Sequence, residues 1–586
     1  MHESSAVPDR PWRSYNRTYT ALLVLIFTFL FLQVLYHPRD IGPDQAVQLQ
    51  LARQLISGDT PYVDFVDTNP PFVVYLHTIP VVLSRFLAIN VITTFSLGVL
   101  LLALWSVLAM KAAASESCDP VRVFAFDTAG LCVTGVTFAL WVHRWQFGQR
   151  EHLFILMYLP LFVTRWTRWE GGDVRAGRAL AAGIVGGLGL CIKPHFLVIA
   201  VAPELYWLLS TRSFRKLITV ETLSSASVVA LYAGHWFIVP SDMRSDFFGE
   251  LLPLMAARFH VLNSPYSELI ARPSFQFALA MSLVPWVWKL GLGRGGGAGS
   301  RLSMRPVSIM TAAALFVYLL QHKWVPYRAI PAIYGGVLIL AGATGPLLRR
   351  GNAVAAGTAG ALFVGLWYLL LRDFESPTLY VAVAFGGAAF VQILAAELAG
   401  GPRVPRWIRA ASLTPLVLCG GAIVGLVYWS DPGTYHPYPS FPALVDAVER
   451  YSSEGQSVLF LSTTGDGVQP TTLQTGRRYG SRYTWLFPVV LLYRGDDRLG
   501  VGQLPCRGAS AMTPDERTFL AHLGHDIEMR KPAVVFVDVR EPCPNCPPGF
   551  NLPDYFRCTG FLAQYMGHYR LTETIKDYEV YVRAAR

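Results

Sequence analysis

Apolar runs long enough to cross a bilayer, joined by loops whose arginines fall on every other connection, leave this chain few architectures to choose from. About thirteen runs have the length and hydropathy of a membrane-crossing helix. They lie near 19–36, 90–110, 123–142, 152–164, 179–192, 196–210, 217–239, 274–290, 307–320, 329–347, 353–371, 378–398 and 410–430. Backbone inside a bilayer must satisfy its own hydrogen bonds, so each run is expected to be helical. The first run, "YTALLVLIFTFLFLQVLY", follows a polar stretch with Arg10, Arg13 and Arg17 and has no small-residue cleavage site behind it, so it reads as an uncleaved helix. With a cytoplasmic amino terminus, the loops "RWTRWEGGDVRAGR" (165–178), "RSFRK" (212–216), "GRGGGAGSRLSMR" (293–305), "RR" (349–350) and "RVPRWIR" (403–409) share the cytoplasmic side. That is the arrangement the positive-inside rule requires. It holds only if "FVVYLHTIPVVLSRF" (72–86), interrupted by Pro80 and Arg85, lies along the outer surface as an amphipathic segment.

Composition agrees. Of 586 residues, 53% are hydrophobic and 15% charged, with a mean hydropathy of +0.37, outside the range of an ordinary soluble domain. The net charge of +10 comes from basic residues clustered between apolar runs, the mark of topology signals; nucleic acid is not an expected partner, whereas membrane lipid is. "GLGRGGGAGS" (291–300) has no P-loop Lys-Ser/Thr and reads as a flexible linker. The expected organisation is a transmembrane module over 1–430, with a first outer loop at 37–89, followed by an extracytoplasmic α/β domain over 431–586. In that tail "SVLFLS" (457–462), "AVVFVDV" (533–539) and "YEVYVR" (578–583) read as strands, with a helix near 513–525. The tail holds Cys506, Cys543, Cys546 and Cys558; "CPNC" lacks a second CxxC or a His pair, which favours disulfides over zinc.

Chemistry concentrates in the loops expected to face outward. Residues 40–71 carry Asp40, Asp44, Asp59, Asp64 and Asp67, while three other loops, "HRWQFGQREH" (143–152), "KPH" (193–195) and "QHKWVPYR" (321–328), supply bases. Ionisable groups at membrane depth are costly and usually serve a site or one another. Acids from one loop and bases from three suggest a carboxylate facing an anion-binding pocket. Displacing phosphate from a carbon needs cations to stabilise the departing charge and one base for the incoming hydroxyl, without the second carboxylic acid of glycoside hydrolysis. Glycosyl transfer from a sugar carried on a membrane lipid phosphate fits, since soluble nucleotide sugars are absent outside the bacterial cytoplasm. Arg150, Lys193, Lys323 and Arg328, with His195 and His322, are the candidate phosphate ligands; Trp324 and Tyr327 suit stacking on a sugar or headgroup anchoring. Plain alternatives stand beside these: an Arg150–Glu151 ion pair, a snorkelling Lys193, structural histidines including His152. The segment 240–272 is long enough for a surface helix or a lid.

The stretch "GPDQAVQLQLARQLISGDTPYVDFVDTNPPFVVYLHTIP" (42–80) resembles the first outer loop of the GT-C superfamily, especially the branch of protein O-mannosyltransferases and lipid A aminoarabinose transferases. The likeness continues in order through "GQREHL" (148–153), "KPH", "QHKWVPYRAIP" and the tail, nearly the whole chain. It implies a polytopic GT-C fold and transfer from a polyprenyl-phosphate sugar to a glycan, lipid or protein hydroxyl at the outer face of a bacterial cytoplasmic membrane. The family's catalytic Asp corresponds to Asp44, with Asp40 as competitor; Asp64, Asp67, Asn69 and Tyr62, with Glu151 and His152, would position sugar or acceptor. Two positions depart from the pattern: the usual Asp-Glu pair is Asp44-Gln45, and the Lys before the "PP" step in aminoarabinose transferases is Asn69. Pro43-Asp44 is also a good helix start, with Asp44 as N-cap, and Asp64, Asp67 and Asn69 would equally make an Asx-turn network. No metal site is expected from the histidines, though Asp-rich loops in oligosaccharyltransferase relatives hold divalent ions. A transporter or flippase of an anionic or lipid-linked substrate should show two related halves, and none is visible; a non-catalytic envelope assembly protein is the other rival.

Overall fold

The computed structural model describes residues 10–36, 41–116, 129–130, 133–137, 140–141, 145–291, 304–348, 441–494 and 512–584. The expected spans at 353–371, 378–398 and 410–430, parts of 123–142 and of the 291–300 linker, and Asp40 and Cys506 lie outside these residues. The chain gathers into two compact units that alternate along the sequence: 1–39, 96–233 and 264–434 form one, and 40–95, 234–263 and 435–586 the other. The first loop thus groups with the tail.

Helices of the first unit follow the apolar runs: Arg10–Tyr36, Val91–Ser115, Arg150–Trp169, Ala176–Cys191, Phe196–Thr211, Val220–His235, Pro273–Gly291, Arg305–Leu320 and Ile330–Leu348. Among the described residues one helix, Val91–Ser115, is by itself long and apolar enough to cross a membrane; Leu23–Tyr36, Phe72–Leu87, Ala176–Cys191, Phe196–Thr211 and Arg305–Leu320 are shorter apolar helices. Helix packing here uses small residues, as membrane helices do when backbones must approach closely. The Ala176–Cys191 helix turns Gly186 and Gly189 to Leu161 and Met157 of one neighbour, and Gly183 and Gly187 to Glu221 and Ser225 of another. Toward the end of the helix Arg150–Trp169, Arg165, almost wholly buried, forks onto Glu204 at 2.7 Å through two nitrogens and reaches Glu221 at 3.2 Å. A planar guanidinium with five donors can tie two carboxylates from two other helices in this way.

In the second unit the tail is a five-stranded mixed sheet, with β1 Ser457–Leu461, β2 Arg478–Tyr479, β3 Val534–Asp538, β4 Tyr569–Ile575 and β5 Tyr578–Arg583 in the order β2-β1-β3-β5-β4. β1 runs parallel to β2 and β3, and β5 pairs antiparallel with β3 and β4. Both faces of β1 and β3 are covered, so these strands read as continuous apolar runs. Val458, Phe460, Val534 and Phe536 meet Leu444, Ala447 and Val448 of the helix Phe441–Tyr451. Leu459, Leu461, Val535 and Val537 meet Phe519, Leu523 and Ile527 of the helix Pro514–Arg530. Sequence reading places three strands and the latter helix, but misses β2, β4 and the helices Phe441–Tyr451, Val468–Thr475 and Phe487–Tyr493. β2 and β4 are short or solvent-exposed, without the β-branched run that marks a buried strand. "CPNC" is closed by a Cys543–Cys546 disulfide, and Cys558 is disulfide-bonded too, so this pair is no half of a zinc site.

The first loop is stitched to this sheet. Val66 bridges Tyr483, with its N–H on the Arg482 carbonyl at 2.7 Å; Arg530 donates to the Asp64 carbonyl at 2.5 Å, and Arg53 to that of Leu473 at 2.8 Å. Phe72–Leu87 is one continuous helix despite Pro80. It buries Val73, Val74, His77 and Val81 and exposes Ile79, Val82, Leu83 and Phe86. That exposed apolar stripe agrees with a helix lying at an interface.

A methyl group at Gly183 would stand 2.8 Å from the Glu221 Cα, whereas one at Gly177 of the same helix meets nothing within 4 Å. Gly183→Ala should lower stability by about 1–3 kcal/mol through overpacking. Gly177→Ala should leave it unchanged or slightly raised; melting temperatures of the full chain in detergent measure both.

Candidate active site

Three segments distant in sequence place their charged side chains together in the first unit. The helix Arg150–Trp169 begins directly with Arg150, Glu151 and His152. The loop 192–195 follows Cys191 and is seated by Phe196, whose ring stacks on Phe154 at 4.0 Å. That contact puts Lys193 against Glu151: the ammonium donates to Oε1 at 2.5 Å, with Glu151 fully buried and Lys193 nearly so. A 3-10 turn, Pro326–Ala329, brings Tyr327 and Arg328. The Arg150 guanidinium lies 3.5 Å from the Tyr327 hydroxyl, and the Lys193 ammonium lies 5.9 Å from the centre of that ring.

Arg150, Lys193 and Arg328 all exert their positive charge on Glu151. Among the described residues, these three cations converge on one carboxylate. Arg328 spends one nitrogen on the Gln321 carbonyl at 3.1 Å, and among the described residues its buried Nε has no hydrogen-bond partner. Removing like charges from water is expensive unless an anion shares the space. This arrangement corrects two simpler expectations: Glu151 pairs with Lys193, not with its neighbour Arg150, and Lys193 is held inward instead of snorkelling. His195, on the same loop, feels Lys193, Glu151, Arg328 and Arg150. Lys323 is buried on the neighbouring segment.

Other expected residues have structural partners in view. His152 accepts the Gly148 N–H at Nδ1, 3.0 Å away, and lies among the rings of Phe147 and Tyr334. His322, at a positive φ of 48°, stacks on Tyr266 at 4.0 Å. Trp324 carries the Arg272 guanidinium 3.9 Å above its ring.

The acidic loop belongs to the second unit. Asp44 lies in the first turn of the helix Pro43–Ile56, where the N-cap is Gly42 and Pro43 occupies N1. The N-cap expectation for Asp44 therefore fails by two residues: proline's fixed φ suits N1, which pushes the cap back to Gly42. A carboxylate in the first turn still benefits from the helix dipole. Asp67 accepts from the Asn69 side chain at 2.9 Å and from Gln48 at 3.1 Å, Asp64 accepts the Thr60 N–H at 2.8 Å, and Tyr62 donates to the Asn69 carbonyl at 2.7 Å. These residues make the turn network that the Pro-rich sequence allows. Gln48 has no signal in the sequence; it is one of four buried glutamines in a single helix, with Gln45, Gln50 and Gln54. Among the described residues no three His, Cys, Asp or Glu side chains are grouped to hold a metal ion.

No family model matches this chain, and no curated protein matches it in sequence. Solved structures do. ArnT from Cupriavidus metallidurans bound to undecaprenyl phosphate overlaps 97% of this chain and 98% of its own at 15% identity and a TM-score of 0.55. The apo state of the same protein gives 14% identity, the same coverage and a TM-score of 0.56. The chain therefore shares the fold of ArnT, mostly helical with a sheet near the carboxyl terminus.

Glu151→Gln would leave the buried Lys193 without its carboxylate, beside Arg150 and Arg328, and should cost about 3–5 kcal/mol. Adding Lys193→Met should recover most of that loss, because charge and partner then disappear together. Thermal unfolding of both variants in detergent checks the pattern; equal losses would mean that the pair contributes no electrostatic balance.

Proposed function

We propose that this protein is an integral membrane glycosyltransferase that moves a sugar from a polyprenyl-phosphate carrier to a hydroxyl on an envelope glycan, lipid or protein at the outer face of a bacterial cytoplasmic membrane. The observation that carries the reading is the convergence of three cations, Arg150, Lys193 and Arg328, on one buried carboxylate, in a chain with the fold of ArnT. Undecaprenyl phosphate bound to ArnT supports the same class of ligand here.

In this reading Arg150, Lys193, Lys323 and Arg328 hold the lipid phosphate. The acceptor oxygen attacks the anomeric carbon, the bond from that carbon to the phosphate oxygen breaks, and the electron pair leaves on the phosphate. Asp44 takes the acceptor's proton. Fixed cations aimed at the developing phosphate charge stabilise the transition state without reorganisation. In-line displacement inverts the anomeric centre, which NMR comparison of donor and product linkages can read directly. Asp64, Asp67 and Asn69 serve by holding the first loop in shape, and through it the helix that carries Asp44.

Asp44→Asn keeps size and hydrogen bonding while removing the base. It should reduce release of polyprenyl phosphate from a polyprenyl-phosphate sugar by about 100- to 10,000-fold, the usual contribution of a general base, with donor affinity retained. Transport of the lipid-linked sugar without product, or full turnover by the variant, would overturn the assignment.

A further inference from the structure

The second unit encloses a cavity of about 490 Å³ between residues 246–257, the first loop and the tail. That volume is within the range of small-ligand sites, roughly 300–1,000 Å³. One wall is apolar, formed by Leu254, Phe487 and Phe519. The floor is polar and uncharged: the Tyr483 hydroxyl meets Nδ1 of His522 at 3.1 Å. Burial, and then the nearby Arg482, hold His522 below its ordinary pKa, which keeps the imidazole neutral near pH 7.

The rim is acidic. Asp246–Leu251 is a π-helical turn, a rare conformation found mostly as insertions at functional sites, and it presents Asp246 and Glu250. Other charges of the cavity are already matched: Arg482 forks onto Asp526 at 3.1 Å, and Arg258 pairs with Asp515 at 3.3 Å. Glu250 makes no hydrogen bond or ion pair among the described residues, and Asp246 accepts only from the hydroxyl of its neighbour Ser245, at 3.2 Å.

We propose that this cavity binds one or two residues of an uncharged, polyhydroxylated glycan, and so selects the acceptor of the transfer reaction; the second part rests on the glycosyltransferase reading. A sugar ring has an apolar C–H face and an edge of hydroxyls. The Phe487 and Phe519 wall suits the face. Asp246 and Glu250 accept from hydroxyls, and the Tyr483–His522 floor exchanges hydrogen bonds without carrying charge. Unmatched carboxylates repel phosphorylated or acidic glycans.

Saturation-transfer NMR of the full chain in detergent, with maltose, cellobiose, lactose and α-1,6-mannobiose as probes and spermidine and glucose 6-phosphate as comparisons, tests this. At least one disaccharide should bind, at least tenfold more weakly in Asp246→Ala and in Glu250→Ala, while Gly177→Ala binds like the wild type. Both rim side chains are at least partly exposed, and unchanged melting temperatures would show that their variants fold. Binding by none of the disaccharides, preference for spermidine or glucose 6-phosphate, or binding unaffected by both rim substitutions overturns the proposal. Polyprenyl phosphate release by the same preparation is measured separately: its absence in the wild type would sink the glycosyltransferase reading whatever the sugars do.

Discussion

The gathering of three cations around one buried carboxylate is the constraint around which the first unit makes sense. Lys193 and Glu151 alone would be a buried ion pair, and such pairs are often no better than a well-packed apolar substitute. Arg150 and Arg328 add further positive charge beside the same carboxylate. In the proposed function the lipid phosphate enters and leaves beside these cations at each binding event. Packing serves the cluster: Phe154 and Phe196 seat the Lys193 loop, and the 3-10 turn delivers Arg328.

At the other end of the Arg150–Trp169 helix, charge is used differently. Arg165 is surrounded by Glu204, Glu221, the Thr219 hydroxyl and the Lys216 carbonyl, so each of its donors has a partner or a carboxylate within reach. That end is a lock joining helices. The two buried arginines of this helix thus differ in setting: Arg165 ties helices together, whereas Arg150 joins Lys193 and Arg328 around Glu151, the set proposed to hold the phosphate.

Much of this was legible in the chain. Runs of apolar residues gave helix positions to within a few residues, as at 152–164 against Arg150–Trp169 and 307–320 against Arg305–Leu320, because a helix inside an apolar medium has to persist until its residues turn polar. The three basic loops were visible as charged breaks between those runs. Their partners were not: Glu151 could be matched to Arg150 or to Lys193 only by knowing how two helices pack, and that depends on the Phe154–Phe196 contact. Asp64, Asp67 and Asn69 had a turn reading and a sugar reading of equal merit in sequence; hydrogen bonds among them, Thr60, Gln48 and Tyr62 give the turn its geometry. The rim carboxylates Asp246 and Glu250 carried no motif at all, since they meet Tyr483 and His522 only through the fold.

The most direct measurement is native mass spectrometry of the full chain released from detergent in the presence of undecaprenyl phosphate. The account predicts one retained lipid phosphate on the wild type, and its loss when Arg150, Lys193 and Arg328 are replaced together by glutamine, methionine and glutamine. Equal retention by that triple variant, verified as folded, would contradict the claim that these cations hold a lipid-borne phosphate.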